Sequence, residues 1–240
     1  MTPESTTATQ SSAIADLPLS PPANLRDLGG IKIDGGVFRE GFAIRTDDIS
    51  IVPTEYAQEL VDNGLTTIID LRSNDEVIAT GRGALGRQPV SYHHIPLMSN
   101  IGNSIDPKNP VLTHETMGHM YVGMIERAAS QLVTALNVIA YAPGATAFHC
   151  TAGRDRTGVL AALLLTTLGA SDDDIITDYA KTGANMPGIM SRSQAVLGPT
   201  MKKLGFDFTK LNRSALQEAG MEASMEFFLK TLSDTYGDRL

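Results

Sequence analysis

The sequence predicts an α/β fold in which helices flank a central, twisted and mostly parallel sheet. Short β-branched or apolar runs alternate with helical patterns along the chain, which is the order that a parallel sheet with crossover helices requires. The run TTIIDL at residues 66–71 is of the type buried inside such a sheet. With 240 residues, 42% of them hydrophobic, the chain can bury a sizeable core.

The chain is predicted to hold one domain preceded by a tail. Residues 1–22 are rich in Thr, Ser, Ala and Pro and end in LPLSPP, which predicts a disordered tail. The remaining sequence shows no internal repeat, so residues 23–240 are predicted to fold as a single domain.

The first half of the domain predicts several short strands and one helix. A glycine-containing turn at residues 34–36 separates two short apolar segments and predicts a hairpin. Thr54 can cap a helix over residues 55–62, and Gly64 follows the end of that helix. The strands predicted in this half are residues 31–33, 37–39, 42–45, 66–71 and 91–97, followed by a loop at 99–110.

The second half opens with a long helix. Apolar residues spaced by three and four predict an amphipathic helix over residues 117–139, which Pro and Gly at 143–144 end. Residues 145–149 predict a further strand. Residues 158–168 are apolar on all sides, so we expect a buried helix there.

The C-terminal part of the chain predicts two further helices and an irregular segment between them. Ser171 and the three aspartates after it begin a helix that includes residues 175–181, because a cap oxygen and negative charge favour a helix N-terminus. Residues 183–213 contain Gly, Pro and Met without clean periodicity. They are predicted to be irregular, and their methionines either fill the core or belong to a lid. Residues 222–232 predict the last helix.

Composition and charge exclude several classes of function. The 27 acidic and 19 basic residues give a net charge of −8, which disfavours nucleic-acid or anionic-membrane binding because both need a basic surface. The longest apolar run, residues 159–165, is far shorter than the roughly 20 residues that span a bilayer, so no stable membrane insertion is expected. The N-terminal residues lack the features of a signal peptide. The sequence therefore predicts a cytoplasmic protein, although it is also compatible with secretion without a signal peptide.

Cys150 is the only cysteine of the chain, which excludes an intramolecular disulfide and an all-cysteine metal site. It lies in the stretch HCTAGRDRTG, residues 149–158, between a predicted strand and the buried helix. A loop that leads from a strand into a helix presents backbone N–H groups that can bind a tetrahedral anion. The same dipoles stabilise a thiolate, so we expect a lowered pKa and a nucleophilic sulfur at Cys150.

The residues after Cys150 favour phosphate as the anion. Arg156 can bind two phosphoryl oxygens, and Gly153 allows a close backbone approach or a positive φ. His149 is predicted to orient the loop or to make a structural hydrogen bond, and Thr157 to donate to the sulfur when it departs as a thiolate. The alternative is a buried, inert cysteine beside a surface arginine. The predicted phosphate-binding residues are Thr151, Ala152, Gly153, Arg154, Asp155 and Arg156.

This Cys-x5-Arg loop, with His before it and Thr-Gly after it, resembles that of the cysteine-dependent protein-tyrosine and dual-specificity phosphatases. The more specific likeness is to the bacterial PtpB-like tyrosine phosphatases, whose loop is HCxxGKDRTG. Two further motifs of those proteins occur in the same order, NLRDLGG at residues 24–30 and DLRS at residues 70–73. Arg154 stands where that family often has lysine. The resemblance implies a tyrosine-phosphatase-like fold.

The resemblance also implies a two-step reaction that needs no metal and no organic cofactor. Cys150 attacks phosphorus while an acid protonates the leaving oxygen, and water then hydrolyses the cysteinyl-phosphate. Asp155 is the acid that the resemblance implies; its alternative role is to pair with Arg154 or Arg26. Asp106, in the loop at 99–110, is a competing candidate, and a third alternative is that neither aspartate is the acid.

Several substrates and functions fit the sequence. The expected substrate is a phosphotyrosine protein or a phospholipid, with inorganic phosphate as product and inhibitor. Alternatives are a phosphoinositide or broad dual-specificity phosphatase, a rhodanese-like sulfur transferase, and a phosphate-binding module without activity. The histidines give little support to a metal site. A polar network near or beneath the loop is predicted from Arg26, Asp27, Asp70 and Arg72.

Overall fold

The computed structural model describes residues 17–98, 113–203 and 220–237, with side chains for all of these except 197–203. Residues 1–16, most of the predicted tail, therefore lie outside the described part. Near the end of that tail, the backbone amide of Ser20 donates to the carbonyl oxygen of Ile51 at 3.0 Å. Ser20 is thus bonded to the domain.

The strands confirm the predicted mostly parallel sheet. The described strands are β1 (Arg26–Asp27), β2 (Lys32–Ile33), β3 (Gly36–Val37), β4 (Ala43–Thr46), β5 (Leu65–Asp70), β6 (Ser91–His94) and β7 (Ala145–His149). The central sheet has the order β1-β4-β7-β5-β6, and the predicted hairpin β2-β3 lies outside it. Strands β4, β7, β5 and β6 run parallel, while β1 is antiparallel to β4.

The carboxyl ends of the parallel strands meet at one edge of the sheet. Thr46 and Asp70 lie on either side of His149, and His94 lies opposite Asp70. In open α/β sheets, ligands bind at this edge. Cys150 directly follows β7, so the sheet places its sulfur where a ligand site is expected.

Helices cover both faces of the sheet, as predicted. The described helices are α1 (Thr54–Asp62), α2 (Asn74–Thr80), α3 (His114–Tyr141), α4 (Asp155–Thr167), α5 (Asp172–Lys203) and α6 (Glu222–Tyr236), with a 3₁₀ turn at Gly83–Arg87. Ile69 and Phe148 pack on one face with side chains of α3, α4 and α6. Ile68 and Ala147 pack on the other face with α1, because successive strand residues point to opposite faces. None of the described helices carries an apolar stretch long enough to cross a membrane.

Three helices differ from the sequence prediction at their starts, and one was missed. Thr54 is the first residue of helix α1, which follows Pro53 and has no side-chain cap bond, so the predicted cap by Thr54 was wrong. Helix α4 begins at Asp155, three residues before the predicted start, because the loop enters the helix directly after Arg154. Helix α3 begins at His114, where Thr113 caps the first turn. Helix α2 was not predicted, although Ser73 and Glu76 form a capping box at its start.

The prediction of an irregular segment at residues 183–213 was wrong for 183–203, which continue helix α5. Pro187 costs this helix a backbone hydrogen bond, but Ile189 and Val196 are buried against the domain and hold the helix in place. Residues 204–213 lie outside the described part of the chain. The proposed lid role of the segment stays a prediction.

Candidate active site

The loop from β7 to α4 begins with a buried sulfur. Cys150 is 1% exposed and directly follows the last residue of β7. Gly153 has a φ of +64°, and a Cβ atom there would lie 2.5 Å from the carbonyl oxygen of Thr46. Both expectations for Gly153 are met, since the loop needs a left-handed residue and also passes close to the end of β4.

The carbonyl oxygens of the loop turn away from the position where an anion would bind. Those of residues 151–154 all accept hydrogen bonds, with distances between 2.8 and 3.3 Å; the donors are Asp48 N, Asn24 Nδ2, Arg45 Nη2 and Gly158 N. The backbone amides of the same residues have no acceptor within the described part of the chain. Four adjacent amides without an acceptor at a helix N-terminus can form a cradle for an anion.

Arg156 is held in place by Glu76, a residue that the sequence analysis did not single out. Nη1 and Nη2 of Arg156 donate to the two carboxylate oxygens of Glu76 at 2.6 and 2.9 Å, and the Thr151 hydroxyl donates to the same carboxylate. Burial raises the pKa of Glu76, but the charge of Arg156 and the hydrogen bonds from Arg156, Thr151 and the Ser73 amide together outweigh burial and place this pKa at about 2. The carboxylate is therefore ionised at neutral pH.

This ion pair leaves part of the guanidinium available. A guanidinium has five N–H donors. Glu76 accepts two of them and the Thr151 hydroxyl lies 3.4 Å from Nη2 as a third acceptor, so Nε–H and one N–H of Nη1 remain to meet a phosphate. Arg156 is 4% exposed, and burial lowers its pKa while the Glu76 carboxylate raises it, with a net rise. The arginine thus stays charged, and its plane is fixed before a ligand arrives.

Asp155 lies among donors that favour its ionised form. Its Oδ1 accepts hydrogen bonds from the Tyr121 hydroxyl and from Nε of Arg154, the latter at 2.9 Å. The Tyr121 hydroxyl lies 2.7 Å from that of Tyr179. Burial raises the pKa of Asp155, but the positive charges of Arg154 and Arg156 and the hydrogen bonds from Tyr121 and Arg154 together outweigh burial, so the pKa lies below its ordinary value. The pairing with Arg154 was the alternative role anticipated from the sequence.

His149 links the loop to the DLRS motif. Its ring is 1% exposed, its Nδ1 lies 3.3 Å from the carbonyl oxygen of Cys150, and its Nε2 lies 3.7 Å from a carboxylate oxygen of Asp70. Burial lowers the pKa of His149 and the carboxylate of Asp70 raises it, with a net lowering. Arg72 bridges Asp70 and Asp48. This network supports the loop from the strand ends.

One prediction about a neighbouring residue needs correction, and another stays a prediction. The Thr157 hydroxyl, in the first turn of α4, is buried without a hydrogen-bond partner among the described residues, and its donation to the Cys150 sulfur when that sulfur departs as a thiolate stays a prediction. Asp27 does not join the buried polar network, because its exposed carboxylate accepts hydrogen bonds from the backbone amides of Gly29 and Gly41. Asp106 lies outside the described residues.

A cavity of about 150 Å³ lies beside the loop, between α3, α5 and α6. Its wall includes Arg154 and Tyr179, which belong to the hydrogen-bonded group around Asp155, together with His114, Met117 and Met221. A volume of this size is comparable to cavities of about 150 Å³ that bind one benzene ring. The cavity therefore offers space for a ring-sized group near Asp155.

Comparisons with known proteins agree with these motifs. A family model described as the tyrosine phosphatase family matches residues 17–239. A protein of Cupriavidus necator, described as a candidate tyrosine-protein phosphatase, is 31% identical over 175 residues, covering 70% of this chain and 63% of that protein. A tyrosine-protein phosphatase of Nostoc commune is 30% identical over 148 residues, covering 60% of this chain and 49% of that protein. This chain thus spans less than two thirds of the length of either relative.

More distant similarities extend over most of the chain. The triple specificity protein phosphatase PtpB of Mycobacterium tuberculosis is 24% identical over 234 residues, which are 83% of each protein. A cysteine-to-serine variant of P. aeruginosa TpbA, solved in complex with phosphotyrosine, matches 82% of this chain and 98% of that chain with 14% identity and a TM-score of 0.36. Because the family model covers nearly all of the domain, the chain belongs to the tyrosine phosphatase family.

Proposed function

We propose that this protein is a protein-tyrosine phosphatase that hydrolyses phosphomonoesters through a cysteinyl-phosphate intermediate. One observation carries the proposal: in the loop that begins with Cys150 and leads to Arg156, the backbone amides of residues 151–154 have no acceptor among the described residues. Family membership and the names of the relatives support it. A phosphoryl dianion is favoured at this position for three reasons. The carbonyl oxygens of the loop are engaged by other donors, a helix begins there, and the guanidinium of Arg156 is fixed in place.

The first step transfers the phosphoryl group to sulfur. The Cys150 thiolate uses an electron pair to form the S–P bond, the bond between phosphorus and the leaving oxygen breaks, and that oxygen takes a proton from an acid. The loop amides and the free N–H groups of Arg156 stabilise the charge on the phosphoryl oxygens. In the second step, water attacks phosphorus while a base takes one of its protons. The S–P bond breaks, its electron pair returns to sulfur to regenerate the thiolate, and inorganic phosphate is released.

Asp155 is the proposed acid of the first step and base of the second. It follows Arg154 in the loop and is about one quarter exposed, so a leaving group can reach it. Its lowered pKa suits the base role, since the carboxylate can accept a proton from water. For the acid role, a bound phosphoryl dianion would favour protonation by adding negative charge nearby.

We expect Asp155→Asn to lower kcat on an alkyl phosphomonoester by roughly 10² or more, since general acid catalysis contributes about 10²–10⁴. On an aryl phosphate, whose leaving group needs less protonation, the variant should lose a smaller part of kcat. Because the pKa of Asp155 lies below its ordinary value, the protonated fraction of Asp155 falls at a lower pH than that of an ordinary aspartate. The wild type should therefore lose kcat/KM toward alkaline pH, and the variant should lack this dependence. Steady-state kinetics against pH measure both effects.

A matched control is Asp234→Asn, which changes an exposed aspartate on α6 paired with Lys230 and should leave the profile unchanged. Asp106→Asn tests the competing candidate. If Asp155→Asn keeps both turnover and the alkaline decline while Asp106→Asn loses them, the acid is Asp106.

The cavity beside the loop favours an aryl ester as substrate. Met117 and Met221 give it apolar walls and Arg154 and Tyr179 give it polar ones, a combination that suits a phenol ring attached to the phosphate. We therefore favour phosphotyrosine over phosphoinositide substrates.

A substrate panel tests this proposal. Phosphotyrosine peptide, phosphoserine peptide and a phosphoinositide are each incubated with the protein, and released phosphate is measured. We expect the highest kcat/KM for the phosphotyrosine peptide and competitive inhibition by inorganic phosphate. Preference for the phosphoinositide would favour the alternative substrate class, and phosphate binding without hydrolysis of any substrate would favour a binding module.

A further inference from the structure

The carbonyl oxygens at the centre of the loop are held from beneath by two side chains of the N-terminal region. Nδ2 of Asn24 lies 3.3 Å from the carbonyl oxygen of Ala152 and 3.1 Å from that of Gly153. Nη2 of Arg45 lies 3.0 Å from the same Gly153 oxygen. Asn24 and Arg45 are 0% and 1% exposed, so these bonds form away from solvent, where they are strongest.

The neighbours of Asn24 fix the orientation of its amide. Its Oδ1 accepts from Nη1 of Arg26 at 2.7 Å and from Nδ2 of Asn185 at 3.1 Å. Both partners are donors, so the oxygen must face them and the NH₂ group must face the loop. The backbone amide of Asn24 donates to the carboxylate of Asp47, which also fixes the main chain at this residue.

Arg45 is fixed in a similar way. Its Nη1 lies 2.5 Å from Oδ2 of Asp178 on α5, and Oδ1 of the same carboxylate lies 2.8 Å from Nε of Arg26. Two guanidinium groups thus share one carboxylate, which leaves net positive charge behind the loop. The NLRDLGG motif, strand β4 and helix α5 all meet at this cluster.

The geometry of the peptide bond gives these contacts a consequence for the loop. In a trans peptide unit the C=O and N–H groups point in opposite directions. The Ala152 carbonyl shares its unit with the Gly153 amide, and the Gly153 carbonyl shares its unit with the Arg154 amide. Drawing both carbonyl oxygens toward Asn24 and Arg45 therefore turns these two amides toward the opposite side of the loop, the side without an acceptor among the described residues.

We propose that Asn24 and Arg45 are positioning residues, which orient the Gly153 and Arg154 amides toward the bound phosphoryl group and the Cys150 thiolate. This inference rests on the proposed phosphatase function and gives the NLRDLGG motif a role in it. Neither side chain contacts the substrate; both act through the dipoles of two peptide units. The preorganised amides cost no rearrangement during the reaction.

Asn24→Asp tests the role with little change in shape. The new carboxylate keeps an acceptor for Arg26 and Asn185, but it replaces the donor facing the loop with an oxygen that repels both carbonyls. We expect the affinity for inorganic phosphate, measured by calorimetry, to weaken about tenfold, which corresponds to about 1.4 kcal/mol. We also expect alkylation of Cys150 by iodoacetamide to require a higher pH, because misplaced amides stabilise the thiolate less.

Asn137→Asp is a matched control. Asn137 on α3 also donates its side-chain amide to a backbone carbonyl, that of Val133, at 3.0 Å, and it is exposed. The same substitution there should leave phosphate affinity and the alkylation profile unchanged. Asn24→Ala removes the Nδ2 donor without adding the negative charge that Asn24→Asp introduces. It too should weaken phosphate binding.

Arg45→Lys is a second test in case the Asn24 variants fold poorly. Lysine keeps the positive charge beside Asp178, but its single ammonium group cannot reproduce the separate contacts of Nη1 with Asp178 and of Nη2 with the Gly153 carbonyl oxygen. The substitution should weaken phosphate binding and shift the alkylation profile in the same direction. The inference is overturned if folded Asn24 or Arg45 variants bind phosphate and react with iodoacetamide as the wild type does, even with a lower Tm. If the wild type itself neither binds phosphate nor hydrolyses phosphomonoesters, the proposed function fails instead.

Discussion

Cys150→Ser is expected to lower kcat on an aryl phosphate by at least about 10⁴-fold, because the serine hydroxyl is not ionised at neutral pH and cannot replace the thiolate. Phosphate affinity should change little, since the loop amides and Arg156 remain in place. Steady-state kinetics measure the loss of turnover, and calorimetry with a phosphotyrosine peptide measures binding. The variant should therefore bind substrate without releasing product.

Acid quenching of the wild type during turnover should trap phosphate covalently bound to the protein, and Cys150→Ser should trap none on this residue. Substantial turnover by the serine variant would contradict the nucleophile assignment. If Cys150→Ser loses phosphate binding together with turnover while its Tm is unchanged, the sulfur maintains the conformation of the loop and is not shown to be the nucleophile.

Arg156→Lys is expected to lower kcat/KM by about 10³-fold, a loss within the range attributed to arginines that stabilise phosphoryl transfer. Lysine carries the same charge, but a single ammonium group cannot pair bidentately with Glu76 and also present two N–H groups to phosphate. The loss should fall on kcat more than on KM, because the transition state carries the charge that the guanidinium plane matches. Kinetics on one aryl phosphate measure both constants.

Glu76→Gln changes the other partner of the ion pair between Arg156 and Glu76. The amide of glutamine can hold Arg156 through one oxygen only, so we expect a smaller loss of kcat than in Arg156→Lys. Arg87→Lys, at an exposed residue of the 3₁₀ turn, is the control for the arginine-to-lysine change and should match the wild type. Wild-type kinetics in Arg156→Lys would contradict the proposed role of the guanidinium.

Local features of the sequence were sufficient to predict much of the fold and the centre of the site. The β-branched run at 66–71 forms β5 at Leu65–Asp70, because a run of that kind fits a position between two other strands. The stretch after Cys150 forms a loop leading into a buried helix, since a glycine with positive φ and an apolar helix follow directly in sequence.

The partners of these residues could not be predicted in the same way. Glu76 lies 80 positions from Arg156, and Tyr121 lies 34 positions from Asp155; no spacing rule connects residues so far apart. The capping box at Ser73 would have indicated helix α2, but not which arginine its glutamate meets. The helical course of residues 183–203 was missed because tertiary burial overrides the local preference of Gly and Pro.

The single buried cysteine limits how this protein can recover from oxidation. A reactive thiolate is converted by peroxide to sulfenic acid, which ordinarily condenses with a second thiol before further, irreversible oxidation. This chain contains no second thiol. Within the chain, the sulfenic acid of Cys150 can therefore be protected only by condensing with a backbone nitrogen to a sulfenamide. Repair otherwise depends on thiols supplied by the surroundings.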